Sequence, residues 1–153
     1  MRESDSRDMS TPTLSAADKF RLLLEKDTRF HPEAYNFVYD ALDYTLRHVI
    51  NPATRSSQHV TGQELLEGSR RLAINEFGCL ARLVLENWGI CCTDDIGEIV
   101  FNLVNFDLMG KQESDDTEDF HAIYSFEDAF DVKPILSYQA ERDEWSASYV
   151  ATN

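Results

Sequence analysis

Between Thr61 and Gly110, glycines cut the chain into three runs of helical period, and this punctuation restricts the fold more than any other feature. The first run, "TGQELLEGSRRLAINEFG", opens with a capping box. The Thr61 hydroxyl can accept from the Glu64 amide while the Glu64 carboxylate reaches back to the Thr61 amide. Leu65, Leu66, Leu72, Ala73 and Phe77 then recur at helical spacing, and Gly78 provides a left-handed stop. In the second run, "CLARLVLENWG", Leu80, Val84 and Trp88 line one side with Leu83 beside them, and Gly89 ends it. The third, "TDDIGEIVFNLVNFDLMG", has Thr93 as its expected N-cap and Asp94 and Asp95 in the first turn. Its stripe is Ile96, Ile99, Val100, Leu103 and Val104, and Gly110 closes it. None of the three approaches the roughly 18 consecutive apolar residues of a membrane span.

Two further helices precede this set. Phe20, Leu23 and Leu24 share a face after Ser15. In "FHPEAYNFVYDALDYTLRHVINP", Pro32 suits the first helical position and Glu33 its positive end, and Pro52 marks the stop. After Gly110 the period changes. "KQESDDTEDFHAIYSF" reads as a β-hairpin with its tip at Ser114–Glu118. Residues 1–13 read as a disordered tail and 136–153 as a weakly ordered one with slight strand character at "PILSY". The expected fold is one mostly helical domain over residues 14–135. It is mainly α with a small β-hairpin: a winged-helix-like core (61–126) preceded by two N-terminal helices.

Three cysteines, an odd number, argue against a disulfide framework. With no apolar leader in "MRESDSRDMSTPT", a reducing cytoplasm is the expected location. Cys91 and Cys92 are adjacent and Cys79 lies apart, so neither zinc-ligand spacing nor a C-x-x-C redox pair is present. They read as small buried hydrophobes. Phosphate-cradling glycine patterns, G-x-S-x-G and H-E-x-x-H are all missing. No cofactor and no catalytic residue is expected.

Charge bears most on partners. Net charge is −14; residues 1–60 hold 9 acids and 8 bases, and residues 61–153 hold 19 acids and 6 bases. Residues 93–126 contain nine acids and one base, Lys111, a balance of −8. Such a surface is repelled by a groove lined with phosphates, so DNA is disfavoured even for a winged-helix shape. Docking of a protein is the reading that remains, with a basic protein surface or a second copy as partner and no membrane. The candidate docking residues are Asp94, Asp95, Glu98 and Asp107, the acids Asp115, Asp116, Glu118 and Asp119 of the expected tip, and Phe101 and Phe106 as aromatic anchors. Helix-start electrostatics accounts for Asp94, Asp95 and Glu98 without any further role. Two alternatives are a metal-dependent enzyme using the acids of 94–119, and nucleic-acid binding through Arg21, Lys26, Arg29, Arg47 and Arg55.

The blocks "GQELLEG", "WGI" with "GEIVFNLV", and "EDF" resemble an uncharacterised bacterial family known mainly from planctomycetes and verrucomicrobia. The resemblance covers residues 59–130, "FHPEAYNFVYDAL" extends it, and "FEDAF" departs slightly from the pattern. It implies a bacterial, cytoplasmic protein. No activity is assigned to that family, so it transfers no functional residue.

Overall fold

A computed structural model describes residues 13–51, 53, 59–110 and 116–152. The expected tail 1–13 falls almost wholly outside them. The chain is mainly helical and carries one two-stranded antiparallel hairpin at its C-terminal end. Helix α1 (Ala16–Lys26) starts at Ser15, whose hydroxyl accepts from the Asp18 amide. Helix α2 (Pro32–His48) begins with Pro32 at its first position, and the His31 ring accepts from the Glu33 amide. Helix α3 (Gly62–Phe77) carries the capping box, with Thr61 and Glu64 bonded in both directions at 3.0 and 3.1 Å.

A 3₁₀ turn, Gly78–Leu80, precedes α4 (Ala81–Asn87). That turn shifts the helical register. Ala81 and Leu85 face inward, while Leu80 and Leu83, expected on or beside the buried side, stand in solvent. Helix α5 (Thr93–Asn105) buries Ile96, Ile99, Val100 and Leu103. It is capped at Cys92, not Thr93, because the Thr93 hydroxyl is committed elsewhere. Fully buried, it donates to the Phe120 carbonyl (2.7 Å) and accepts from the Ile123 amide (3.2 Å). Nor does Gly110 close α5. The helix ends at Asn105, and Asp107 takes the left-handed position with φ 58°.

Of the hairpin expected within residues 111–126, the described residues 116–126 form no strand. Residues 111–115 lie outside the described set. From Asp116 onward the chain forms a 3₁₀ turn, Thr117–Phe120, a loop, and a short helix α6 (Phe126–Ala129). A reciprocal cap sets that turn: Asp116 accepts from the Glu118 amide, and Asp119 accepts from the Asp116 amide. Short polar side chains that bond their own backbone favour such turns over strands. The Phe120 ring then lies against Gly62 and Gly97, where an added Cβ would come within 3.1 Å of it at Gly62 and 2.7 Å at Gly97. The described part of that segment therefore supplies no strand for the expected wing.

The hairpin instead occupies most of the expected C-terminal tail. Strand β1 (Val132–Gln139) pairs with β2 (Glu144–Ala151) through a loop at 140–143. Tyr149 seats its ring on Gly78, whose φ is +57°, and β1 lies along the 3₁₀ turn Gly78–Leu80. The core itself is helical. Leu23, Tyr35, Val38, Leu66, Leu85, Ile90, Ile96, Ile99 and Leu103 are fully buried in it, and Phe120, Phe126 and Phe130 seal one side. Among the described residues, no helix is long and apolar enough to cross a membrane.

Candidate functional site

The acids expected to form a docking surface are mostly engaged within the chain. Asp94 accepts from the Ala122 amide at 3.0 Å and pairs with His121 at 2.8 Å. Asp95 accepts from the Cys91 amide at 2.8 Å. Glu98 lies 3.6 Å from Arg29, and Asp107 pairs with Lys19 at 3.0 Å. Asp116 and Asp119 cap the 3₁₀ turn, Glu118 is exposed beside them, and Asp115 is outside the described residues. Asp94 and the 116–121 segment are brought together, but Asp107 lies thirteen residues further along the chain, roughly 20 Å at helical rise. Phe101 and Phe106 are not exposed anchors. Both are half-buried against the core, and the Phe101 ring meets Phe120 edge to face at 6.4 Å.

The Asp94–His121 pair has a pH signature. Its hydrogen bond to Asp94 raises the His121 pKa above the ordinary value, and the same bond, with the Ala122 amide, lowers that of Asp94. A raised histidine pKa stabilises the fold fully below the unfolded value and loses that contribution as pH rises through the folded one. A lowered carboxylate pKa contributes above its unfolded value and loses it as pH falls. The pair therefore acts between the two folded values. An NMR titration should place the His121 midpoint lower in Asp94→Asn than in the wild type. Equal midpoints would mean that the bond does not exist in solution. The pair is exposed, so its effect on stability is small.

Cys79, Cys91 and Cys92 are exposed free thiols, a correction to the expected burial. Partial desolvation, followed by the nearby Asp95, raises the Cys91 thiol, and desolvation is also the leading cause at Cys92. Both are thereby held in the less reactive protonated form. Among the described residues, no group of three or more His, Cys, Asp or Glu side chains is placed to hold a metal ion.

A concavity lies elsewhere, between α3 and the base of the hairpin. It is a groove of about 780 Å³, walled by Glu67, Arg70, Arg71 and Ile74 on one side and by Val132, Ala147, Tyr149 and Ala151 on the other. Arg70 grips Glu67 with two bonds of 3.0 and 2.8 Å, and Arg71 adds a third at 2.6 Å. Those guanidinium bonds, Arg70 first, hold the Glu67 carboxyl below its ordinary range. With two guanidinium groups held on one carboxylate, the polar wall is preorganised and carries a balance of +1. Tyr124 also lines the groove, donating to the Leu66 carbonyl at 2.8 Å. Burial pushes its hydroxyl pKa up, so it remains a phenol.

Above the groove, strand alternation sorts the hairpin into two faces. One carries Val132, Pro134, Leu136 and Tyr138 opposite Ala151, Tyr149, Ala147 and Trp145. The other carries Lys133, Ile135, Ser137 and Gln139 opposite Val150, Ser148, Ser146 and Glu144. The first face is thus entirely apolar or aromatic. Its near end overlooks the groove. Its far end is open, with Leu136, Tyr138 and Trp145 exposed by 66, 49 and 70%. The Tyr138 and Trp145 rings pair across the strands at 5.2 Å, which stiffens this end.

Compared with known protein families, curated proteins and solved structures, the chain matches none of them. Sequence reasoning overlooked the groove and the hairpin face alike. The signal available was the alternation in "EWSASYVA", where every second residue from Trp145 belongs to one face.

Proposed function

We propose that this chain is a non-catalytic protein-interaction module that docks through the apolar face of its C-terminal hairpin and the groove beneath it. One observation carries the reading: a two-stranded ribbon with an entirely apolar face leaves the outer half of that face in water. An isolated two-stranded hairpin is marginal by itself, and exposed aromatic patches mark interaction sites. Trp and Tyr are also the residues that most often anchor interfaces. The acidic surface suits a basic protein, a second copy is compatible where the nearly neutral hairpin makes the contact, and Asp94, Asp95 and Asp107 already have partners within the chain, which leaves the hairpin as the anchor. The metal-enzyme and nucleic-acid readings have weaker support. Among the described acids of 94–119, Asp94, Asp95, Asp116 and Asp119 serve caps and loop anchors and Asp107 pairs with Lys19, and Arg21, Arg29 and Arg47 each pair with a carboxylate.

A photo-crosslinking amino acid in place of Trp145, in cells that make the protein, should form protein adducts on illumination. The same probe at Ser137, on the polar face, should form far fewer. Equal labelling from the two faces would refute the reading.

A further inference from the structure

We propose that the occupant of this face is a second copy of the same chain, joined edge to edge through β2. The inference rests on the docking role proposed above and names the partner. Hydrogen-bond parity identifies the edge. The Thr152 amide donates to the Asp131 carbonyl at 3.0 Å, which marks Asp131 and Thr152 as a bonded pair. Bonded and non-bonded pairs alternate in an antiparallel ladder. The pairs Lys133–Val150, Ile135–Ser148 and Ser137–Ser146 are then bonded to each other, and the residues between them turn their backbone groups outward.

The two outer edges are unlike. On β1 the outward residues are Val132, Pro134, Leu136 and Tyr138. Pro134 has no N–H to offer there, and this strand also runs along the 3₁₀ turn Gly78–Leu80. A proline at an outward position is a common device for blunting an edge. On β2 the outward residues are Trp145, Ala147, Tyr149 and Ala151, each with both an N–H and a C=O. The edge of β2 is the one able to accept another strand.

This edge is complementary to itself. An antiparallel pairing about a two-fold axis at Ser148 sets Trp145 opposite the second copy's Ala151, and Ala147 opposite its Tyr149. All four outward residues form bonds, and each large side chain meets a small one. No like charges are apposed, because the only charged residue of β2, Glu144, falls opposite Thr152. Charge selects the same region. Residues 132–151 hold three acids and two bases, a balance of −1, so the remaining −13 of the −14 lies outside the contact. Two copies of an acidic chain repel each other least when they meet here.

The groove completes the fit. Ala147 and Ala151 line it and belong to the apolar face. A Trp145 placed beside the second copy's Ala151 lies on that same face, over that copy's groove. At about 780 Å³ the groove is large enough for an indole. Trp145 and Tyr149, the large outward side chains of β2, leave roughly 250 Å² exposed in the single chain, and this pairing covers them together with the strand edge.

Analytical ultracentrifugation of the full chain over a wide concentration range should reveal a monomer–dimer equilibrium. Trp145→Ser should weaken it at least ~30-fold, the scale of a hot-spot residue. Ala147→Pro removes only an outward N–H and leaves the intrachain ladder intact, so it should abolish the dimer while the helical circular dichroism is retained. With Cys79, Cys91 and Cys92 replaced by serine, Ser148→Cys should give a disulfide-linked dimer under oxidised glutathione, and Ser146→Cys should not. A monomer at every concentration would overturn the proposal. So would a dimer indifferent to Ala147→Pro, or one crosslinked from position 146 and not from 148. A monomer whose position-145 probe still captures a different protein would end the self-pairing alone and leave the docking role standing; a monomer whose probe captures nothing would end both.

Discussion

Replacing Gly68 by alanine is expected to destabilise the protein by about 3 kcal/mol, although alanine is the better helix former by ~1 kcal/mol. Gly68 lies on α3 where it crosses α2. A Cβ added there would lie 1.8 Å from the Thr45 hydroxyl oxygen, 3.0 Å from the Thr45 Cβ and 3.3 Å from its Cα. Rotating Thr45 clears only the first of these contacts. It also breaks the buried bond from the Thr45 hydroxyl to the Ala41 carbonyl, 2.6 Å long. The backbone contact persists, so the two helices must separate and the core around Val38, Ala41 and Leu66 loosens. Urea denaturation should give the loss directly, and a thermal melt should show a fall of roughly 6–12 °C. Thr45→Ala in the same chain should recover part of the loss, since residues in contact do not act additively. A Gly68→Ala variant as stable as the wild type would mean that the helices do not approach this closely.

That crossing also shows what a sequence can and cannot convey. The helix starts at Thr61 and Pro32 were legible because their chemistry closes within four residues. The stripe of α5 was legible because burial of one face imposes a period. Gly68, in contrast, sits inside an amphipathic helix and gives no local sign of its neighbour. Thr93 looked like a cap because threonine usually is one there, but its hydroxyl reaches Phe120, twenty-seven residues away. The acidic run before Phe120 looked like a hairpin tip, yet Asp116 and Asp119 close a 3₁₀ turn on themselves. The actual hairpin was hidden for three physical reasons. Pro134 interrupts β1, serine and alanine lower the contrast between the faces of β2, and the loop at 140–143 lacks an Asn-Gly or Asp-Gly turn. The groove joins α3 to residues more than fifty positions later, and no spacing rule covers such a distance.

Asp27 is expected to show the largest polar effect in the chain. Its carboxylate caps the exit from α1 and is only 15% exposed. It accepts from the Arg29 amide at 3.1 Å, from the Arg29 guanidinium at 2.6 Å, and from Asn102 of α5 at 2.8 Å. Asn102 also donates to the Tyr35 hydroxyl at 3.2 Å, so one carboxylate ties α1, α2 and α5 together. Asp27→Ala leaves Asn102 and the Arg29 amide without this acceptor, and a cost of about 3 kcal/mol follows for a charge-assisted network of this kind. Asp27→Asn keeps the shape and should cost less. The bonds from Arg29, chiefly, hold the Asp27 carboxyl well below the usual carboxylate range. Its stabilisation is therefore complete above the unfolded value of about 4 and declines as pH falls toward the folded one. The stability gap between wild type and Asp27→Asn should accordingly be widest near neutrality and narrow steadily in acid. Urea denaturation at a series of pH values measures it, and a gap that stays constant from neutral to strongly acidic solution would show that the carboxylate charge does not hold these three helices together.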